Sequence, residues 1–255
     1  VHRAGVREEQ RSVHRARIHE PATFEKTLAE RDVFGLPSRA MLIEAVVPAW
    51  NESRTVADAV RPLLASGAFS RVTVIDDGST DNTADVARAA GASVYTMPKN
   101  GGKGGAMRAG VEQALARRAG AVAFFDADLI GLRPDHVGRL TAPILRGEAV
   151  MVCGLRDHGR VQNALQVAMP PITGERVVAA SVLRAVPAEF WNGFRIEAAI
   201  NAVARRQGAV LLTILDGLGI VHKTEKFGVH DGAVRYAKMF REVLEAMRDA
   251  EGMPR

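Results

Sequence analysis

"RVTVIDDGSTDNTADVARAAGASVYTM", residues 71–97, carries one full repeat of a fold. "RVTVIDD" is a β-branched apolar run that closes on two carboxylates, Asp76 and Asp77, and reads as a strand. A Gly-Ser turn follows, and "STDNTADVARAAG" has helical character, with Gly91 as its stop signal. Ser79 or Asp81 can satisfy the free N–H groups where that helix begins. "ASVYTM" then returns to strand character. Strand, helix and strand in immediate succession make a βαβ unit.

The same rhythm continues on both sides. Upstream, "LIEAVVP" reads as a strand and "SRTVADAVRPLLAS" as a helix with Val56, Val60, Leu63 and Leu64 on one face and Ser53 as N-cap. Downstream, "GKGGAMRAGVEQALARRAG" reads as a helix ending at Gly120, and "AVAFFDAD" as a fourth strand. The expected fold class is therefore α/β, a mainly parallel Rossmann-like sheet flanked by helices. In such sheets ligands sit beyond the carboxyl ends of the strands. Here those ends are Pro48–Glu52, Asp76–Ser79, the "PKNGGK" loop reaching Lys103, and Asp126–Asp128; each is polar, Gly-rich or acidic.

Beyond the fourth strand the pattern is less regular. "EAVMVCG" reads as a strand, "ERVVAASVLRAV" and "GFRIEAAINAVARRQG" as helices, and "AVLLTILDGLGIVHKTEKFG" as one or two strands and a loop. Residues 231–250 form an amphipathic helical pattern with Tyr236, Met239, Phe240, Val243, Leu244 and Met247 on one stripe, suited to packing on the domain or to a homodimer seam. Residues 1–40 mix charges with little apolar periodicity and are expected to be a dispensable N-terminal extension, with Met41 at the start of the regular pattern. Residues 41–255 are then one domain, 41–131 forming its first half and 132–255 its second.

Composition narrows the partners. A formal net charge of +5 suits anionic small molecules or acidic surfaces. With 5% aromatic residues and no dense Lys/Arg run, nucleic acid is the least suited partner. The one cysteine, Cys153, lies in an apolar run and reads as a small core residue, so no internal disulfide is expected and a reducing, cytoplasmic setting is. No apolar run reaches the roughly 18–20 residues of a membrane span, and the N-terminus has no signal-peptide core.

The chemistry is concentrated at the strand ends. Asp126 and Asp128, placed at a strand end, point the same way and repel unless a cation intervenes. Hard carboxylate oxygens suit Mg²⁺ or Mn²⁺, which would neutralise charge on a departing diphosphate. Asp76 or Asp77 can accept from a base or a ribose hydroxyl. "KNGGKGGAMRAG" lacks the Ser/Thr of a Walker A motif and the third Gly of the dinucleotide fingerprint, but it leaves Lys103 at a helix N-terminus, where anionic oxygens bind. Glu197 sits on the otherwise apolar segment around Ile196, Ala198, Ala199 and Ile200, so its charge needs a reason. Arg156, Lys223 and Lys226 are candidates to take an acceptor phosphate or carboxylate.

"VVPAWNE", "VIDDGSTDNT", "NGGKGGAMRAG" and "FFDADLI", in this order, resemble the nucleotide-sugar-binding half of family 2 glycosyltransferases, which have the GT-A fold. The resemblance covers roughly 42–131. It implies that Pro48, Trp50, Glu52 and Asp77 hold the nucleoside, with Trp50 where an aromatic is common. It also implies that Lys103 lies near the nucleotide, and that Asp126 and Asp128 contact ribose and diphosphate through a divalent metal, Mg²⁺ or Mn²⁺. The second half is more faintly similar to glucosyl-3-phosphoglycerate synthases, which implies that Glu197 faces the donor sugar or acceptor and that His222 is a metal ligand. The stretch between Gly154 and Thr173 departs from that family in lacking an Arg-Val-Thr-Glu segment, which leaves the acceptor open.

The resemblance implies transfer of a sugar from a UDP- or GDP-linked donor to a small-molecule or lipid-phosphate acceptor, with Asp128 and Glu197 as the catalytic candidates. Glu197 would be the general base if the enzyme inverts, and would position the sugar if it retains. Polyprenyl-phosphate glycosyltransferases share the first half, which would place the chain at a membrane periphery. A sugar-phosphate nucleotidyltransferase would carry a Gly-rich basic loop after the first strand, unlike "PAWNESRTV", and a non-catalytic binder would lack the paired Asp.

Overall fold

The computed structural model describes residues 41–157, 173–191, 193 and 195–220. The expected N-terminal extension, His222, Lys223, Lys226 and the amphipathic pattern of 231–250 lie outside the described residues. The elements in chain order are β1 (Ile43–Ala49), α1 (Val56–Ala65), β2 (Arg71–Asp76), α2 (Thr83–Ala89), β3 (Ser93–Thr96), α3 (Gly102–Ala116), β4 (Ala121–Phe124), β5 (Leu129–Ile130), α4 (Pro134–Leu145), β6 (Met151–Arg156), β7 (Arg176–Ala179), α5 (Ala180–Ala185), α6 (Arg195–Gln207), β8 (Val210–Leu215) and β9 (Gly219–Ile220), with a short 3-10 turn at Ala188–Phe190 before α6.

Seven strands form one sheet in the order β3-β2-β1-β4-β7-β6-β8, and β5 pairs with β9 in a small antiparallel ribbon. The β1–β2, β2–β3, β1–β4 and β6–β8 pairs are parallel, while β7 runs antiparallel between β4 and β6. The sheet is mainly parallel, as expected. The chain winds from β1 outward through β2 to β3, then returns to place β4 on the other side of β1. That reversal opens a crevice at the carboxyl ends of β1 and β4, the usual place for a ligand in such sheets.

Both faces of the sheet are covered. On one, Val56, Ala59, Val60 and Leu63 of α1 and Val137, Leu140 and Ile144 of α4 pack on Ala45, Val47, Ala123 and Val177. On the other, α3, α5 and α6 pack on Val46, Ile75, Val122 and Val178. The buried valines of β1, β2 and β4 on both faces account for the unbroken apolar runs in the sequence. Cys153 lies in this core and its thiol is pushed up to about 11 by burial, as suits an inert packing residue.

Helix α3 is fixed at both ends and pressed close in the middle. At its carboxyl end Arg117 donates to both oxygens of the buried Glu44, at 2.7–3.1 Å. Along it, Gly110 lies so close to Val46 and Ile75 that a Cβ there would sit 2.9 Å from Val46 Cγ2. Gly110→Ala is expected to destabilise the fold by about 1–3 kcal/mol through overpacking, read as a lower urea midpoint at unchanged slope.

Four local expectations need correction. "ERVVAASVLRAV" is not one helix: Arg176–Ala179 is a central strand and only Ala180–Ala185 is helical. Its two valines complete the sheet between β4 and β6, where burial on both faces outweighs the helical spacing. Helix α1 starts at Val56 with Thr55 as N-cap, because residues 53–55 form a turn closed by the Thr55 and Val56 amides on the Glu52 carbonyl. Helix α3 ends at Ala116, not at Gly120, whose amide bonds Leu42 at the entry to β4. Strand β4 ends at Phe124 and a turn at 127–128 follows, so strand alternation does not set the direction of the Asp126/Asp128 pair.

Candidate active site

Three strand-end loops are joined by hydrogen bonds into one floor. The Asn51 backbone lies in the left-handed region at φ 54°, which turns the chain sharply after β1. The Asn51 amide donates to Ser79 Oγ (2.9 Å) and its side-chain oxygen accepts from the Thr80 amide (2.8 Å). The Glu52 amide donates to Thr83 Oγ1 (2.8 Å), and the Ser53 amide to Asp81 Oδ2 (3.2 Å). Asp81 Oδ1 also accepts from the Thr83 amide at the start of α2 (3.0 Å). The polar residues after β2 are therefore largely used to hold the loop after β1.

The third loop joins through Asp77 and Gly78. Asp77 Oδ1 accepts from the Gly101 amide at 2.6 Å. Gly78 has φ +68°, and a Cβ on it would meet the Asn100 amide nitrogen at 2.9 Å, so the two loops touch backbone to backbone. Burial, helped by the neighbouring Asp76 charge, pushes the Asp77 carboxyl above its ordinary value against the pull of the Gly101 and Gly102 amides. Trp50 projects from this floor, 40% exposed.

Beside this floor, where the third loop enters α3, runs a chain of four charges. Lys103 Nζ, in the first turn of α3, lies 2.9 Å from Asp126 Oδ1 and 2.9 Å from Glu197 Oε1. Glu197 is only 4% exposed, and its other oxygen lies 3.8 Å from Arg176 Nη2. Fully buried Arg176 also donates to the Thr173 carbonyl and to Asn201 Oδ1 (3.2 Å). Burial of the Lys103 ammonium opposes its charge, but Asp126 and Glu197 outweigh it and hold the group firmly protonated. The buried charge of Glu197 thus has its reason in two cations.

Asp126 comes this close because Gly174 has no side chain: a Cβ there would collide with the Asp126 carboxylate. Beside it, Glu175 is fully buried; Thr173 Oγ1 donates to Oε2, while Oε1 has no hydrogen-bond partner. Burial, then the negative charge of Asp126, push the Glu175 carboxyl up to about 7, against the Thr173 hydroxyl and the Arg156 and Lys103 charges. The folded state holds a proton that the unfolded chain releases, so the stability this group contributes is complete below its ordinary 4.5 and is lost as pH rises through about 7. Glu175→Gln is expected to stabilise the protein at pH 8 by on the order of 2 kcal/mol, with the gap narrowing toward pH 5, read from denaturant melts at both values.

Lys103, Asp126 and Glu197, far apart in sequence, are thus in direct contact. Pro48 is the last but one residue of β1, and Trp50, Glu52 and Asp77 belong to the fused loops that follow β1 and β2. Asp128, half-buried, sits in the turn between Asp126 and β5, and Arg156 ends β6. Sequence reading missed Arg176, Gly174 and Glu175 because it placed 175–186 in a helix. The one strand signal present was the β-branched pair Val177-Val178.

A second cluster, Asp135, His136 and Asp216, brings its polar atoms within 4.8 Å of one another. Arg139 reaches Asp216 Oδ1 (2.8 Å) and Asp135 Oδ2 (3.1 Å), and Arg133 reaches Asp216 Oδ2 (2.9 Å). Two guanidinium groups already neutralise these carboxylates, and the cluster acts as a clasp between α4 and the β8–β9 turn.

The family model for glycosyl transferase family 2 matches residues 44–182, from the second residue of β1 into α5. The chain belongs to glycosyl transferase family 2. Among curated relatives, it is 34% identical over 124 residues to the uncharacterized protein MJ1222 of Methanocaldococcus jannaschii, covering 48% of this chain and 50% of that protein. It is 37% identical over 121 residues to glucosyl-3-phosphoglycerate synthase of Mycobacterium tuberculosis, covering 43% of this chain and 36% of that enzyme. These matches span half or less of the length of those relatives. The fold is similar to the crystal structure of the M. tuberculosis synthase in complex with Mn²⁺, UDP-glucose and phosphoglyceric acid, at 27% identity and a TM-score of 0.67, covering 84% of this chain and 81% of that one. The same enzyme in complex with Mg²⁺ and UDP gives 26% identity and a TM-score of 0.68 at the same coverage. The expected GT-A architecture is thus the one this family 2 chain adopts.

Proposed function

We propose that this family 2 chain is a metal-dependent glycosyltransferase that moves a sugar from a UDP-linked donor to an acceptor hydroxyl. The observation that carries it is the contact of Lys103 with Asp126 and Glu197 at the crevice between β1 and β4. The donor set fits a divalent cation. Asp126 and Asp128 offer hard oxygens one residue apart, and Asp126 already carries a cation in the form of the Lys103 ammonium. Asp126, Asp128 and His222 would hold Mg²⁺ or Mn²⁺, which when bound supplies electrophilic stabilisation of the departing diphosphate.

The chain's own residues then divide the work. Pro48 near the end of β1 and Trp50, Glu52 and Asp77 on the fused loops hold the nucleoside. Lys103 meets the diphosphate from the N-terminus of α3, where helix amides favour anions. Glu197, shared between Lys103 and Arg176, is suited to fixing a sugar hydroxyl; with one oxygen 2.9 Å from the Lys103 ammonium and the other facing buried Arg176, it is badly placed to take an acceptor proton. That favours the retaining form of the reaction.

Likeness to the synthase structures that hold UDP-glucose and phosphoglyceric acid supports a second, narrower reading, a phosphorylated small acid as acceptor. A lipid-phosphate acceptor at a membrane surface, homodimer formation through 231–250, and dispensability of 1–40 complete the reading, to be tested by vesicle flotation, sedimentation and deletion. Among the described residues no helix is long and apolar enough to cross a membrane. The deciding assay incubates the full chain with UDP- and GDP-sugars, Mn²⁺ and 3-phosphoglycerate or a polyprenyl phosphate. Free nucleoside diphosphate with a glycosylated acceptor supports transfer; pyrophosphate, or binding without turnover, overturns it.

A further inference from the structure

We propose that Lys103 is the resting counter-ion of the divalent-metal site, a built-in cation that the metal must displace. The inference rests on the reading of Asp126 and Asp128 as metal ligands and goes beyond it. Lys103 Nζ is 2.9 Å from Asp126 Oδ1, which is where a cation serving that oxygen sits. A divalent ion held by Asp126 would compete with the ammonium for this carboxylate, because two cations on one small anion repel. Metal and ammonium therefore weaken one another's hold on Asp126.

The rest of the cluster is arranged for the exchange. Arg176, Glu197, Lys103 and Asp126 form a line of two positive and two negative groups, neutral in sum. Glu197 is held from behind by buried Arg176, so it keeps its hold on Lys103 when Asp126 lets go. The freed ammonium, still tethered at the first turn of α3, faces the crevice that a diphosphate would enter. Metal alone must compete with Lys103 and gains nothing for displacing it. Metal arriving with a nucleoside diphosphate provides the displaced ammonium with new oxygens. Metal and nucleotide therefore strengthen one another's binding, and the coupling is reciprocal.

The test is Mn²⁺ binding to the full chain, followed by loss of the free-ion electron paramagnetic resonance signal, with and without UDP. In wild type, UDP is expected to tighten Mn²⁺ binding. Lys103→Met is expected to bind Mn²⁺ about tenfold more tightly than wild type in the absence of nucleotide, and to lose most of the gain on adding UDP. Lys103→Gln, which keeps a hydrogen-bond donor between the two carboxylates, carries the same expectation should the Met variant fail to fold. Unchanged nucleotide-free affinity in both variants, with wild-type binding that still requires Asp128, overturns the exchange and leaves the transferase reading standing. Absence of Mn²⁺ binding in wild type even with UDP overturns both.

Discussion

Asp128→Asn is expected to lower the rate of sugar transfer by about 10²–10³-fold, while the protein still folds. The electrophilic assistance to a leaving diphosphate is a transition-state interaction, and losing one such contact costs about 10²–10³ in rate. The loss should fall on kcat more than on the affinity for nucleotide base and ribose, which the residues at the ends of β1 and β2 are proposed to supply. Steady-state kinetics with UDP-sugar at saturating Mn²⁺, beside circular dichroism of the variant, separates this from unfolding. A variant with wild-type kcat would show that the second carboxylate has no part in the reaction.

Arg176→Ala is expected to have the largest effect on stability. The guanidinium is fully buried, and it satisfies the Thr173 carbonyl and Asn201 as well as facing Glu197. Its removal leaves Glu197 with one cation instead of two and takes the guanidinium donors from the Thr173 carbonyl. Breaking a buried ion pair by deleting one partner costs roughly 3–5 kcal/mol. For a chain of this size that corresponds to a fall in melting temperature of roughly 10 °C. Arg88→Ala, which removes an exposed ion pair with Asp85, is the control and should stay within about 0.5 kcal/mol. Equal, small losses in both variants would mean that the charge chain is not a structural unit.

Much of this site was legible from local sequence. β1, β2 and β4 are largely apolar runs, as inner parallel strands covered on both faces must be, and each ends in a recognisable polar signal; β3, at the sheet edge, is half exposed and is read from the βαβ rhythm instead. The second half was harder. Arg176 lies within an antiparallel strand only four residues long, and a strand that short has no periodicity to set against the helical spacing of the residues after it. The partnership of Lys103 with Glu197 joins residues 94 positions apart (197 − 103), and no spacing rule reports such a contact. Glu197 was noticed because it was charged among apolar neighbours, which is a signal of a buried partner and says nothing of which one. Ser79 and Asp81 read as helix caps in the sequence; Asp81 does accept from the Thr83 amide where α2 begins, and both also tie the loop after β1 to the loop after β2.

The central claim is that the crevice between β1 and β4 binds a nucleoside diphosphate through a divalent metal on Asp126 and Asp128. Isothermal titration of UDP into wild type and Asp128→Asn, each with and without Mn²⁺, tests it most directly. The expected result is binding in wild type that strengthens markedly with Mn²⁺, and no strengthening in the variant. UDP affinity that is the same with and without the metal, or the same in both proteins, would contradict the account.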